Sequence, residues 1–400
     1  MAHSKEIMRK PLVALAVSAF GIGTSEFIIM GLLPDLAHSF QVSIPKAGVL
    51  VSGYALSVTL GSPLVALALA RMDRKRALVI LMGIFIAGNV LCAIAPSYTL
   101  LLCSRIMTAL CHGAFFGIGS IVASNMVPRA ERAQAIALMF SGLTLANVLG
   151  VPAGTALGQA FGWRFAFWAL VPIGLTAAAG LYWFVPSQPA EAMHLGHELR
   201  AVLRPQVQLV LALSTLSSVA MFCVLTYIAP ILEKVTHLSP STVTWALVIF
   251  GVGITLGNLV GGKLADWKQM TSLISGLIFL ICIFLIMPLL ERRMVPAIAI
   301  VFVWGFVHFA ASAPLQARIV DQAKGAPNLA STLNQGAFNL GNALGASLGG
   351  LVLTAGYGYQ RLSLASAAVA CVALIVALVA LRVERNGSAE VDAPRVVDAY

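Results

Sequence analysis

Asn147-Val-Leu-Gly-Val-Pro-Ala-Gly154 returns 195 residues later as Asn342-Ala-Leu-Gly-Ala-Ser-Leu-Gly349. Leu69-Ala70 returns as Leu264-Ala265 at the same spacing, and Pro34 and His112 return as Pro230 and His308 at a spacing of 196. Four near-equal shifts spread along 400 residues mark an internal duplication. The chain is therefore read as two like halves, and each copy of the motif sits inside a long apolar run.

Those runs settle the solvent. Hydrophobic residues make up 59% of the chain and charged residues 10%, against about 45–50% and 25% in a soluble domain. Fifteen acids and 25 bases cannot cover the surfaces of soluble domains of this total size, so the surface has to face lipid. This excludes a soluble enzyme, a secreted disulfide scaffold and a disordered chain. The six cysteines all lie in apolar runs without a C-x-x-C pair and read as small buried apolar residues.

A bilayer core ~30 Å thick takes roughly 20 apolar residues per helix. That ruler gives twelve spans: 11–33, 47–70, 76–95, 98–123, 133–159 and 164–185, then 207–232, 241–265, 271–290, 295–316, 327–353 and 361–382. The expected fold is an all-α membrane protein with twelve transmembrane helices in two six-helix bundles. Residues 1–185 form the first bundle, 186–206 a cytoplasmic linker, 207–382 the second bundle and 383–400 a disordered cytoplasmic tail. The first run continues past 20 residues without a small-residue cleavage site, so it reads as a span and not a signal peptide. Six spans per half is an even number, so both halves enter the membrane in the same orientation. Parallel repeats about an axis along the membrane normal build two-bundle transporters.

The net charge of +10 is explained by topology. With the N-terminus inside, 18 of the 25 bases fall in cytoplasmic segments, six outside and one, Arg105, within a span. The positive-inside rule then places both termini in the cytoplasm. No nucleic-acid partner is needed to account for the bases.

Only one acid lies well inside a span. Glu26 sits eight residues, or ~12 Å, below the outer end of span 1 at Pro34, and Arg105 sits seven residues, or ~10 Å, below the same surface on span 4. Ionisable groups in hydrocarbon are costly and usually mark an ion or proton pathway. Glu26 and Arg105 are therefore expected to form one proton-coupling unit, with the alternatives of a non-titrating Glu and an Arg fixed on backbone carbonyls. His112, two helical turns from Arg105, is a candidate relay. Asp35, beside Pro34, reads as a solvated gate residue.

Substrate contacts are expected among mid-depth polar and aromatic residues. The candidates are Asn147, Tyr227, Trp304, Asn334, Asn339 and Asn342, with Asn89, Phe222, Thr226 and Gln335 beside them. The glycines Gly150, Gly154 and Gly158, with Gly341, Gly345 and Gly349, form small-x-x-x-small stripes that let helices approach closely. Pro152 should bend span 5. A close, bendable seam between the halves suits alternating access.

Several stretches resemble the major facilitator superfamily, in its drug:proton antiporter and arabinose-efflux branch. They are GIGTSEFIIMGLLPDLA in span 1, SRIMTALCHGAFFGIGS in span 4, GLTLANVLGVPAGTALG in span 5, GGKLADWK after span 8 and GAFNLGNALGASLGG in span 11. The likeness covers residues 10–385. It implies a proton-coupled antiporter exporting a small organic molecule (a drug, a sugar or a nucleoside-like compound) across a bacterial inner membrane. It also implies that span 5, with Gly150, Pro152 and Gly154, carries the antiporter motif. Arg105 and Gly113 match the family's R-x(7)-G motif, whose arginine is linked to proton movement. The loop between spans 2 and 3 departs from the family's G-x-L-A-D-R-x-G-R-R: Arg71 holds the acid position and Arg74 the glycine position, which leaves Asp73 as a substitute in the gate latch. Asp266 keeps the acid in the second half.

No Walker loop, H-E-x-x-H or G-x-S-x-G is present, so neither ATP-driven export nor enzyme chemistry is expected. No cofactor or metal is expected, and a monomer is compatible with the sequence. Import, facilitation of a small metabolite or a non-transporting sensor stay open as alternatives.

Overall fold

In hydrocarbon every backbone N–H and C=O must find its partner inside the protein, so apolar runs of this length fold as helices. The computed structural model of the chain describes residues 2–128, 131–189, 203–323 and 327–392. The central part of the expected linker and the last eight residues of the expected tail lie outside the described residues. Twelve helices are long and apolar enough to cross a bilayer. In order they are Lys10–Gly31, Ile44–Leu69, Arg74–Ile94, Tyr98–Asn125, Gln134–Phe161, Trp163–Phe184, Pro205–Lys234, Pro240–Ala265, Trp267–Leu290, Met294–Ile319, Leu333–Thr354 and Gln360–Glu384.

Local chemistry sets where these helices start and stop. Ser43 and Ser239, 196 residues apart, each cap the following span by accepting a backbone N–H at 3.3 Å, from Lys46 and Thr242. Asp73 caps span 3 through the Arg76 N–H at 3.1 Å. Between spans 5 and 6 the chain turns at Gly162 with φ +91°, a conformation that side chains resist.

The duplication is visible in the backbone. Span 1 breaks at Leu32 and continues as the short helix Leu33–Ser39. Span 7 breaks at Tyr227 and continues as Ile228–Lys234, each bound displaced by 195 residues. Spans 1–6 pack chiefly with one another, as do spans 7–12, and the halves meet where span 2 lies along span 11 and span 5 along span 8.

The glycine stripes lie elsewhere than at that seam. Gly150, Gly154 and Gly158 of span 5 face Thr24, Ile28 and Leu32 of span 1. Gly345 and Gly349 of span 11 face Val219 and Cys223 of span 7, the positions displaced by 195. The stripes therefore close spans 1 and 5, and spans 7 and 11, within each half. A larger residue at Gly150 would overlap the Thr24 side chain. The seam glycine is Gly251 of span 8, which rests on the backbone of Asn147 and Val148.

Three boundaries differ from expectation. Span 5 has a π-helical turn at Ala146–Gly150, in which the Val151 N–H reaches the Ala146 carbonyl. The wide turn comes just before Pro152, whose ring cannot donate to the preceding turn. Spans 8 and 9 join without the expected loop, the helical run Pro240–Leu290 being broken only at Lys268 (φ −152°, ψ 88°). Helix also continues through the expected start of the tail to Asp392. The extra turn brings Glu384 to Arg318 of span 10, at 2.9 Å.

Candidate functional site

Span 4 packs against spans 2 and 3 and touches span 1, so its inward face meets polar groups from three neighbours. Arg105 is fully buried there. Its Nη1 donates to the Ser25 carbonyl at 2.5 Å and its Nη2 to the Glu26 carbonyl at 3.2 Å. Its guanidinium lies 4.2 Å from the centre of the Tyr54 ring, a cation–π contact from span 2. Similar depth on spans 1 and 4 does bring Arg105 and Glu26 together. The expected pairing of guanidinium with carboxylate is corrected: the arginine is spent on backbone carbonyls.

The Glu26 carboxylate turns to His112. Oε2 lies 3.7 Å from His112 Nδ1, and both side chains are more than nine-tenths buried. Tyr54 Oη lies 3.2 Å from the same nitrogen, and the Phe116 ring packs on the imidazole with centroids 5.1 Å apart. Behind Arg105, the Ser25 hydroxyl donates to Asn89 Oδ1 at 3.1 Å. A buried polar chain thus runs Asn89–Ser25–Arg105–Tyr54–His112–Glu26 across spans 1 to 4.

Across the seam Glu26 comes within hydrogen-bonding reach of the Asn342 side chain on span 11. One residue on, Phe27 meets Phe222 of span 7 with centroids 6.2 Å apart. The cluster therefore sits where the two halves meet. Towards the short-helix end, Tyr227 packs under Gly48 of span 2 and donates to the Ala346 carbonyl at 2.9 Å. Thr244 donates to Gln159 Oε1 at 3.1 Å. Deeper, Thr59 donates to the Gly336 carbonyl at 3.3 Å. These contacts seal the halves together from the short-helix end down to mid-depth.

Other candidate residues separate by their partners. Asn334 is held between Ser214 and Gln316, both at 2.6 Å. Asn147 donates back to the Leu143 carbonyl of its own span at 3.0 Å. Trp304 is enclosed between Phe250 and Phe284 with no exposed surface, and this packing corrects its expected place at an accessible mid-depth site. Tyr227 is likewise enclosed. Asn339 and Asn342 stand apart. Both are buried, and each keeps a side-chain oxygen without a partner among the described residues, as does His308 Nδ1.

The charged ends of the spans fall into separate roles. Asp35 is half-buried on the short helix after span 1 and interacts electrostatically with Glu233 on the matching helix of the other half. Burial raises its carboxyl above the usual range, against its backbone hydrogen bond and His38. For Asp73, slight burial is outweighed by hydrogen bonds from Ser187 and the N–H groups of Arg76, Gln188 and Lys75, which hold the carboxyl below the usual range. The Ser187 hydroxyl donates to Asp73 at 2.5 Å, and the Arg74 N–H donates to the Gln188 carbonyl at 2.9 Å. The altered loop thus grips the start of the linker rather than the second half. The Asp266 side chain lies outside the described residues.

Sequence reasoning missed Tyr54, Ser25 and Ser62 as parts of this cluster. Tyr54 and Ser62 lie eight residues apart on one face of span 2, and Ser62 Oγ accepts the Gly113 N–H at 3.1 Å. That helical spacing of two hydroxyls in an apolar run was the available signal. Glu291 was counted as a loop acid. It is instead 2% exposed in the turn between spans 9 and 10, and burial pushes its carboxyl up to about 8.

The profile of the Major Facilitator Superfamily matches residues 15–334. The chain is 48% identical to the Inner membrane transport protein YdhP of Escherichia coli strain K12 over 93% of its own length and 96% of that protein's. It is 34% identical to the Putative transporter AraJ of the same strain, over 96% of this chain and 98% of AraJ. It is 33% identical to a Chloramphenicol resistance protein of Streptomyces lividans, over 92% and 96%. Among solved structures, a bacterial homologue of the human lysosomal transporter Spinster, in an inward-facing and unoccupied conformation, superposes with TM-score 0.78 at 16% identity, over 94% of this chain and 97% of that one. The twelve spans, the repeated broken helices and these matches agree: the chain belongs to the Major Facilitator Superfamily and is a secondary transporter, not an enzyme.

Proposed function

We propose that the protein is a proton-coupled antiporter that exports a small organic molecule across a bacterial inner membrane by alternating access. The observation that carries this reading is the position of Glu26: a buried carboxylate inside span 1, 3.7 Å from an imidazole, at the boundary between the two halves. A group that loads a proton from one side and releases it to the other has to sit where the halves part. Glu26 is the proton carrier in this reading, His112 is the neighbour that exchanges protons with it, and Arg105 fixes spans 1 and 4 around both. With both termini cytoplasmic, the sealed short-helix end faces outward.

Export of a drug-like molecule is supported by the likeness to a chloramphenicol resistance protein, and an inner-membrane site by the likeness to YdhP. Asn339, with an unpartnered buried oxygen, is the residue on the second half most available to a substrate. A drug panel in a strain lacking its own exporters identifies the cargo, and everted vesicles then test the coupling. Uptake into vesicles should require an inward-acid gradient and stop when that gradient is collapsed. Uptake that survives collapse, or that follows sodium, contradicts the proposal.

A further inference from the structure

Asn342 entered the sequence reading as a substrate contact, yet the structure gives it a different neighbour. It lies on span 11, 6% exposed, with its side chain within hydrogen-bonding reach of the Glu26 carboxylate on span 1. Its Oδ1 has no partner among the described residues. The contact crosses from one half to the other, beside the Phe27–Phe222 ring pair.

We propose that Asn342 is the positioning residue through which the second half reads the proton on Glu26. An ionised carboxylate only accepts hydrogen bonds, and a primary amide offers it one Nδ2–H while Oδ1 is left facing a negative oxygen. A protonated carboxyl both donates and accepts. It pairs with the same amide twice, O–H to Oδ1 and Nδ2–H to the carbonyl oxygen, and no buried atom of Asn342 is then orphaned. One proton from the compartment at the short-helix end adds to the carboxylate, no other bond breaks, and the charge of Glu26 is cancelled. Protonation therefore strengthens a bond between the halves, and the sealed conformation is the one it favours.

The groups around Glu26 limit what else could give this response. Arg105 and His112 face it from span 4, and Tyr54 adds its hydroxyl from span 2. All of these belong to the first half. Span 11 contributes the uncharged Asn342 and span 7 the apolar Phe222. Among these residues the proton on Glu26 can act directly on the polar chemistry of the second half only through the amide.

The inference rests on Glu26 being the proton carrier, and the test separates the two. Spin labels at His38→Cys and Lys234→Cys, both exposed on the short helices, report the separation of the halves in full-length protein with its native cysteines replaced, reconstituted in nanodiscs. No substrate is added, and the distance distribution is read from pH 5 to 9 by double electron–electron resonance. The parent protein should shift toward the short distance as pH falls. Glu26→Gln, whose amide mimics the protonated pair, should stay at the short distance at every pH. Asn342→Leu should lose the pH response, with the sealed population at low pH reduced about 2- to 12-fold, the range expected for one buried hydrogen bond. Asn342→Ser, which keeps a small polar group without the two-bond geometry, should behave the same and serves if the leucine variant folds poorly. A normal pH response in both Asn342 variants, with the response lost in Glu26→Gln, overturns the role of Asn342 alone. A normal response in Glu26→Gln overturns the reading of Glu26 itself.

Discussion

Arg105 donates to the main-chain carbonyl of Glu26 at 3.2 Å and leaves the carboxylate of that residue to His112, 3.7 Å away. The cation is thereby a fixed part of the scaffold and the acid a free one. A guanidinium fork matches two successive carbonyls, and an ammonium cannot reproduce that geometry.

Arg105→Lys should therefore be nearly as damaging as Arg105→Ala, each costing about 2–4 kcal/mol through lost charge-assisted hydrogen bonds. Because the partners are carbonyls, the loss from Arg105→Ala should change by no more than about 0.5 kcal/mol in a Glu26→Gln background. Thermal unfolding of the four proteins in one detergent gives the comparison. Rescue of Arg105→Ala by Glu26→Gln would show a direct ion pair instead.

Tyr54 offers a finer probe. Its ring supports Arg105 and its hydroxyl meets His112 Nδ1 at 3.2 Å. Tyr54→Phe keeps the ring and removes the hydroxyl, so stability should fall by no more than about 1 kcal/mol. The pH profile of transport should shift, because His112 loses a partner that exchanges protons with it. An unchanged profile would detach Tyr54 from the proton path.

The glycine stripes separate packing from hinging. Gly150→Val and Gly345→Val occupy equivalent places in the two halves and meet Thr24 and Val219. Overpacking at such a contact costs about 1–3 kcal/mol. Both variants should lower the melting temperature by similar amounts. A hinge role would instead leave stability near normal and change the balance of inward and outward conformations.

Glu291 gives a stability test outside the spans. Its carboxyl is pushed up to about 8 from an ordinary value of 4.5, so the folded chain holds a proton that the unfolded chain has released. Stability therefore falls as pH rises from about 4.5 through about 8. Glu291→Gln should remove that slope and raise stability above pH 8 by roughly 1–3 kcal/mol, the cost of an unpartnered buried group. Equal pH slopes for the two proteins, measured by thermal unfolding, would contradict this.

Much of the fold could be read from the chain because bilayer thickness imposes one length on every span. The 195-residue shift was legible for the same reason that Leu33–Ser39 and Ile228–Lys234 match: duplicated sequence repeats its own breaks. Tight turns were not legible. The break at Lys268 needs only one residue, and no composition change marks it.

The site was half legible. A lone deep acid and a lone deep base identified Glu26 and Arg105, since uncompensated charge in hydrocarbon is rare. Their actual partners were hidden because carbonyl oxygens carry no sequence signature, and every residue has one. The glycine stripes showed close approach but not which neighbour was approached. Asn342 could be ranked only as one amide among four on span 11.

The central claim, that Glu26 takes up and releases a proton inside the membrane, is tested most directly without any substrate. Infrared difference spectra of reconstituted protein between acid and alkaline pH record the C=O stretch of protonated carboxyl groups. A buried-carboxyl band should appear on acidification and be absent in Glu26→Gln, while the separate contribution of Glu291 disappears only in Glu291→Gln. A titrating band that persists unchanged in Glu26→Gln, with Glu291→Gln also combined, would contradict the account.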